Sequence, residues 1–378
     1  MKRINNLETI LGTLISRSQP DSQFNEAILK LLDNGEANFL AQCIELEIEG
    51  IVYFEHKRRN FSYLKLPEWR SAFDAVDNKV GNLFEVLDEI STLLEAQGID
   101  LLLLKNTGIA KAGSLPYGAN PMGDIDLLVR SDCLMQVDTI MLSNGFVRKT
   151  QKENIEPHEF EYLASRGGEE LRIEIQTRPV SGRWISKDQE PSGEFLWNNS
   201  KKIDGSNYFT FKPELALLLV ALHTAKHSFV RAPGFRLHTD VDRIVFESNI
   251  NWTEFVLLAQ KFKVIVPVYF SLLLAHRFLG TKIPLEVLKE LKPGFLKVYF
   301  IEKSLKKVGY LEPLGKKWGR VSYILFVMAL FDDTKQLLRS IFPDLQHPSY
   351  GYQALYKKYG FFTHALRISD LIFNRKNY

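Results

Sequence analysis

Two aspartates stand at the start of an apolar run in the stretch GDIDLLV, at positions 124 and 126. Side chains two positions apart on a β-strand point to the same face, so Asp124 and Asp126 would lie side by side. Two carboxylates that close repel one another unless a cation or a shared proton lies between them. A hard divalent ion such as Mg²⁺ or Mn²⁺, which prefers oxygen ligands, is the simplest partner for this pair.

A third carboxylate fits the same geometry in the stretch LRIEIQT. Its apolar residues alternate with Arg172, Glu174 and Gln176, so Glu174 is expected on the polar face of a strand. If this strand neighbours the first, three carboxylates converge. They could hold two divalent ions and a triphosphate, one ion activating the attacking oxygen and the other neutralising the leaving pyrophosphate. The sequence therefore predicts a catalytic and metal-binding triad of Asp124, Asp126 and Glu174.

The segment KNTG, which follows four leucines, suits phosphate binding. It runs from an apolar strand into a helix start, capped by Asn106 or Thr107, where free backbone N–H groups attract anions. Lys105 adds a point charge, and Gly108 and Gly123 allow a close approach to the backbone. The predicted nucleotide-binding residues are Lys105, Asn106, Thr107, Gly108 and Gly123.

The hydrophobic pattern predicts the elements that would position these residues. Apolar residues recur at three- and four-residue spacing in the first part of the chain and again in its last part. This spacing predicts helical regions at 1–97 and 213–378. The fold class is therefore predicted to be α+β, with a small mixed sheet flanked by N-terminal and C-terminal helical regions.

Between the helical regions the pattern changes to short apolar runs bounded by turn residues. These runs predict an α/β core at 98–180, with buried strands in IDLLLL and GDIDLLVR. A hairpin is expected to turn at Gly167 and Gly168. Residues 181–212 are polar and rich in turn residues, so we expect a connecting flap there.

The composition sets limits on the class of protein. The chain has 378 residues, of which 45% are hydrophobic and 25% charged, as in folded soluble proteins. The formal net charge of +3 does not by itself predict a nucleic-acid partner. Two cysteines without metal-type spacing favour a reducing compartment, and neither a signal peptide nor a bilayer-spanning run is visible. We expect a cytoplasmic protein without a membrane partner.

Two histidines, His223 and His227, lie four positions apart in a predicted helix and so share a face. Histidines hydrogen-bonded within a core or an interface are the simplest interpretation. A role near the nucleotide or the acceptor comes next. A zinc site would need a third ligand, which His238 or Asp240 could supply.

A second D-x-D pair, Asp240 and Asp242, also falls in a predicted helix. Residues two apart on a helix diverge, so these aspartates are expected to be structural, with Arg243 pairing with one of them. Asp240 is kept as a residue that could close the site.

The stretches just described resemble a known family. LLLLKNTGIA and LPYGANPMGDIDLLVR are similar to the nucleotidyltransferase superfamily with the polymerase-beta-type fold. More narrowly, they resemble a bacterial family marked by an L-L-K-G segment followed by R-P-M-G-D-I-D-L-L-V. The resemblance continues through RIEIQTRPV, PELALLLVALHTAKH and RLHTDVDRIV, and covers roughly residues 85–260.

The resemblance implies roles for the residues that match the motifs of the family. Asp124 and Asp126 match its metal-binding pair, Glu174 matches the acid of its later strand, and Lys105 matches the lysine of L-L-K-G. The other matching residues, expected around the site, are His223, His227 and Asp240. Gln176 is also expected there, but it departs from the histidine that is common at its position. Asn106 and Asn120 depart from the glycine and the arginine that are usual at their positions.

Two functions of different class follow from these observations. The first is a Mg²⁺- or Mn²⁺-dependent nucleotidyltransferase that moves a nucleoside monophosphate from an NTP, such as ATP, to an acceptor hydroxyl of a protein, an RNA or a small molecule. The alternative, motivated by Asn106, Asn120 and Gln176, is a weakly active or inactive nucleotide-binding or protein-interaction module of the same fold. A D-x-D glycosyltransferase is less favoured, because the region ahead of the motif is helical rather than Rossmann-like.

Overall fold

Helices form the chain up to the first strand. The structure, a computed structural model, describes residues 6–149, 159–179, 191–231, 233–311, 318–342 and 352–373. The N-terminal helices are α1 (Leu7–Ile15), α2 (Asp21–Leu32), α3 (Glu36–Glu45), α4 (Glu49–Arg58) and α5 (Glu68–Glu95). The helical character predicted for the start of the chain is confirmed for its described part.

The central part of the chain alternates strands and helices. Its elements are β1 (Leu101–Leu103), α6 (Lys105–Ala112), β2 (Asp124–Leu128), α7 (Leu134–Ser143), β3 (Val147–Arg148), β4 (Glu159–Arg166), β5 (Glu169–Gln176), α8 (Gly193–Asn198), β6 (Ser200–Lys202) and β7 (Tyr208–Phe211). The predicted hairpin turn between β4 and β5 is confirmed: Gly167 and Gly168 have φ of 58° and 83°, the left-handed values that glycine adopts most readily.

The strands form one mixed sheet. Within the described residues its order is β3-β4-β5-β2-β1-β7-β6. β2 runs parallel to β5 and β1 parallel to β7, whereas the other pairs are antiparallel. Together with the flanking helices, this sheet confirms the α+β class.

The flap interpretation of residues 181–212 is wrong for residues 193–211, and residues 181–190 lie outside the described residues. This segment forms α8, β6 and β7, and β7 pairs with β1 through Leu101 opposite Tyr208 and Leu102 opposite Phe209. β7 has only four residues between polar neighbours, so its apolar alternation is too short to stand out in the sequence. Its partner lies more than a hundred positions away, which local patterning does not reveal.

Helices follow the sheet to the end of the described chain. They are α9 (Pro213–Lys226), α10 (Gly234–Glu247), α11 (Trp252–Lys261), α12 (Ile265–Leu279), α13 (Leu285–Glu290), α14 (Phe295–Val308), α15 (Arg320–Ala329), α16 (Thr334–Ile341), α17 (Gln353–Tyr359) and α18 (Phe362–Phe373). Within the ranges given above, no helix is both long and apolar enough to cross a bilayer.

The two faces of the sheet contribute to two apolar cores. Leu101, Ile125 and Ile173 belong to a core that also contains buried residues of α5 and α7. Leu102 and Leu128, on the opposite face, belong to a larger core that includes residues of α1–α4 and α9–α12. Because side chains alternate along β2, Asp124 and Asp126 lie on the same face as Leu128, the face covered by α1–α4 and α9–α12.

A buried aspartate ties the N-terminal helices to the C-terminal ones. Asp242 of α10 accepts hydrogen bonds from the backbone N–H of Arg17 at 2.9 Å and from the hydroxyls of Ser16, Ser18 and Thr281 at 3.2, 3.1 and 2.8 Å. It is therefore a structural residue, as predicted for the second D-x-D pair. The helices before and after the sheet thus form one packed body.

We predict that Gly50→Ala lowers the free energy of unfolding by about 1–3 kcal/mol, the usual cost of overpacking. Gly50 of α4 packs on the turn that leads toward β2, and a Cβ there would lie 2.0 Å from the carbonyl oxygen of Gly118. Urea unfolding followed by circular dichroism measures the change.

The matched control is Gly81→Ala in the interior of α5. A Cβ at this position meets no atom closer than 4.0 Å, so alanine should stabilise the helix by about 0.5–1 kcal/mol. Equal stability of the two variants would show that the close approach of α4 to the turn is absent.

Candidate functional site

The parallel pairing of β2 and β5 brings three carboxylates together. Asp126 lies directly opposite Glu174 and Asp124 opposite Arg172, so Asp124, Asp126 and Glu174 share one face of the sheet. Each offers an oxygen within 4.8 Å of the others. The structure therefore brings together the residues that alternation along the two strands indicated, and their roles stay predictions.

The electrostatics of this triad favour a cation. Burial raises the pKa of Asp126 above its usual value, Lys105 acts against the shift, and Asp124 and Glu174 add to it. The pKa of Asp124 is also raised, by burial and by Glu174. A set of hard oxygen donors with repelling charges fits Mg²⁺ or Mn²⁺, because a divalent ion would offset both the repulsion and the loss of solvent.

Lys105 lies among the carboxylates. Its Nζ donates to Oδ1 of Asp126 at 2.5 Å and lies 3.6 Å from Oε2 of Glu174. Its backbone has φ of 45°, a left-handed value that costs a non-glycine residue about 1–3 kcal/mol. The lysine predicted to hold phosphate is thus engaged with the triad.

The two predicted caps of α6 have other partners, so that prediction is wrong. The helix begins at Lys105, at least two residues earlier than expected, and Leu104 precedes it without a side-chain cap. Asn106 Nδ2 donates to the carbonyl oxygen of Pro121 at 3.0 Å, and Thr107 Oγ1 accepts from the backbone N–H of Asp126 at 3.0 Å. Both side chains pin α6 to the chain around β2.

Of the five predicted nucleotide-binding residues, two lie beneath the surface of the site. Thr107 is fully buried. A Cβ at Gly108 would lie 2.9 Å from the carbonyl oxygen of Leu103 and 3.2 Å from Oγ1 of Thr210, so this glycine allows α6 to pack on the sheet. The other three, Lys105, Asn106 and Gly123, line an open cavity.

This cavity has a volume of about 540 Å³ and lies between N-terminal and C-terminal helices beside β2. The loop before α4, the middle of α5, the start of α6 and the chain entering β2 form one part of its wall, and α9 and α10 form the rest. Among the residues that line it are Asp124, Asp126, His223, His227, Arg236 and Asp240. The tertiary structure therefore adds the histidines and Asp240 to the neighbourhood of the triad.

The two histidines face one another in the cavity without a metal-type arrangement. The centroids of the His223 and His227 rings lie 4.9 Å apart. Burial, followed by the charge of Lys105, lowers the pKa of His223 well below its usual value, so its ring is neutral. Within the described residues, the triad is the only group of three or more acids, histidines or cysteines close enough to share an ion, and His238 instead contacts the carbonyl of Phe229 at 3.0 Å. The zinc interpretation therefore has no support in the described part.

The remaining predicted residues occupy different positions. Gln176 ends β5 and is buried outside the cavity, and its Nε2 has no partner among the described residues. Asp240 is buried in the cavity wall, 3.8 Å from Nη1 of Arg243, and burial raises its pKa.

Asn120 supports the fold rather than the cavity. Its Nδ2 donates to the carbonyls of Leu115 and Pro116 at 3.2 and 2.7 Å, and its Oδ1 accepts from Nη2 of Arg243. The side chain is fully buried.

Sequence reasoning missed Glu47, Glu49 and Arg236, which also line the cavity. Burial raises the pKa of Glu49 to about 7. Arg236 stands in the stretch RLHTDVDRIV, so the resemblance could have drawn attention to it. Glu47 precedes α4 in a left-handed conformation, with φ of 55°, and nothing in the local sequence indicates it.

We predict that Lys105→Gln strengthens Mn²⁺ binding about tenfold in the absence of nucleotide, because the ammonium competes for Asp126 and repels the ion. Calorimetric titration with MnCl₂ measures the affinity. Lys79→Gln is the control, because Lys79 lines the same cavity and is exposed. Unchanged or weaker Mn²⁺ binding by the Lys105 variant would contradict a metal site at the triad.

Comparison with known proteins points to one family. Residues 34–280, more than half of the chain, match a family described as uncharacterised nucleotidyltransferase. A solved structure, an antigenic nucleotidyltransferase-like protein from Paracoccidioides brasiliensis, shares 16% identity over 54% of this chain and 94% of that one, with a TM-score of 0.37. None of the curated proteins shows significant sequence similarity. The triad and the cavity residues lie inside the matched range.

Proposed function

Because the chain belongs to the family of uncharacterised nucleotidyltransferases, we propose that it transfers a nucleoside monophosphate from an NTP to an acceptor hydroxyl. The reaction would require Mg²⁺ or Mn²⁺ and release pyrophosphate. One observation carries this proposal: three carboxylates have oxygens within 4.8 Å of one another, and two of them, Asp124 and Asp126, line a cavity of about 540 Å³.

The carboxylates have distinct surroundings that suit distinct tasks. Asp124 and Asp126 line the cavity, and the backbone of Asp126 is held by Thr107. The side chain of Glu174 is 30% exposed, so it can complete the ion-binding set and accept the proton of the acceptor hydroxyl. Divalent ions bound here would neutralise the triphosphate and lower the pKa of that hydroxyl.

The cavity is large enough for a nucleotide. Pockets for small ligands and cofactors commonly measure about 300–1,000 Å³, and this one falls within that range. His223 can donate to or accept from a polar acceptor, since its pKa is lowered and its ring is therefore neutral. We propose a protein, an RNA or a small molecule as the acceptor; a cytoplasmic location also stays a prediction.

We predict that Asp126→Asn lowers nucleotide transfer at least about a hundredfold, because a neutral amide cannot hold the divalent ions. The assay incubates pure protein and each α-labelled NTP with Mg²⁺ or Mn²⁺ and with protein, RNA and small-molecule fractions of a lysate. Transfer of label is the measurement. Turnover by the variant equal to that of the unmodified protein would overturn the proposal.

A matched pair on β5 tests the third carboxylate. Glu174→Gln should lose transfer to a similar degree, since it changes one of the three ion-binding oxygens. Glu170→Gln, on the exposed part of the same strand, should retain it. Tight NTP binding by the unmodified protein without transfer to any fraction would instead favour the inactive nucleotide-binding module.

A further inference from the structure

A buried arginine of α10 lines the cavity and contacts the chain that enters β2. Arg236 lies in the first turn of α10, and its side chain is only 9% exposed. Nη1 donates to the carbonyl oxygen of Pro121, and Nη2 lies 3.0 Å from Oε2 of Glu47. Nε has no partner among the described residues. A buried N–H without a partner costs free energy, so its retention points to a ligand.

Two helix N-termini meet at this arginine. The carbonyl oxygen of Pro121 accepts from Arg236 in the first turn of α10 and from Asn106 in the first turn of α6. Free N–H groups and the helix dipole make both ends favourable to anions. Pro121 stands three residues before Asp124, so the place where the first turns of α6 and α10 come together lies next to the triad.

Arg236 can bind an anion more easily than Lys105. Lys105 forms an ion pair with the buried Asp126. The carboxylate that pairs with Arg236 belongs to Glu47, whose side chain is 59% exposed. Because the Glu47 carboxylate is largely exposed, water can solvate it when a phosphate takes its place at Arg236. The Nε and Nη2 groups would then offer two parallel N–H donors, which match two phosphate oxygens.

We propose that Arg236, together with the first turn of α10, binds the terminal phosphates of the triphosphate and holds the pyrophosphate as it leaves. This inference deepens the proposed function and rests on it for the identity of the anion. In the transfer, the acceptor oxygen forms a bond to the α-phosphorus and its proton passes to Glu174. The bond from the α-phosphorus to the bridging oxygen breaks, and pyrophosphate departs with the electron pair. Arg236 stays protonated and forms no covalent bond.

The test measures phosphate binding without any need for turnover. The full chain is titrated calorimetrically with inorganic tripolyphosphate in the presence of Mn²⁺. Arg236→Gln should weaken binding of tripolyphosphate at least about tenfold, because two charge-assisted hydrogen bonds are lost. Mn²⁺ alone should bind this variant as it binds the unmodified protein, a result that a general loss of structure would not give.

Three further variants sharpen the result. Arg277→Gln removes another ion-paired helical arginine, bonded to Glu302 at 2.6 Å and outside the cavity, and should not change binding. Glu47→Gln should tighten binding about threefold by removing the competing carboxylate. Arg236→Lys keeps the charge but not the paired donors, so it should weaken binding by less than Arg236→Gln.

Unchanged tripolyphosphate binding by Arg236→Gln overturns the inference. If Arg236→Gln does not fold, the variants Arg236→Lys and Glu47→Gln provide the test. Weaker tripolyphosphate binding by Arg236→Lys together with tighter binding by Glu47→Gln supports the inference. Any other pattern of binding by these two variants overturns it. Absence of nucleotide transfer by the unmodified protein would refute the proposed function separately, since the binding measurement does not depend on transfer.

Discussion

Repulsion between three neighbouring carboxylates is the interaction on which the site depends. The register of β2 against β5 places Glu174 opposite Asp126 and leaves no freedom to separate them. Their charges are partly removed from water, where repulsion grows and solvation is lost. In the structure the ammonium of Lys105 offsets part of the repulsion between the carboxylates. The backbone of Lys105 is in a strained, left-handed conformation. A site with these properties gains stability from any cation that enters it.

The N-terminal and C-terminal helices that pack on this face of the sheet matter for the same reason. Asp242 joins the segment after α1 to α10 and to Thr281, so the N-terminal and C-terminal helices cannot shift independently. The cavity lies where they meet the sheet, with Glu47 from one side and Arg236 and Asp240 from the other. The α/β core carries the carboxylates and Lys105. The cavity, with the buried cation Arg236 in its wall, exists only because both helical regions pack against that core.

Particular elements show where sequence reasoning succeeds and where it fails. The strands around Asp126 and Glu174 were predictable, because a two-residue period in a sufficiently long apolar run has one structural solution. Strand β7 could not be predicted, because its four residues are too few to show an alternating pattern and its partner strand lies far away in the sequence. The predicted caps of α6 were wrong because Asn106 and Thr107 bond to the chain around β2 and not to the N–H groups of their own helix. Gly108 was assigned to phosphate, whereas Leu103 and Thr210 require a glycine there for packing.

By itself the sequence determined the α+β class, the shared face of Asp124 and Asp126, the matching face of Glu174 and the family to which the chain belongs. All of these follow from local periodicity and from motifs read in order along the chain. Only the tertiary structure decided that β5 lies next to β2, that Lys105 enters the triad and that Arg236 lines the same cavity as Asp124 and Asp126. Such contacts join residues far apart in the chain, and the packing that selects them leaves no periodic signal.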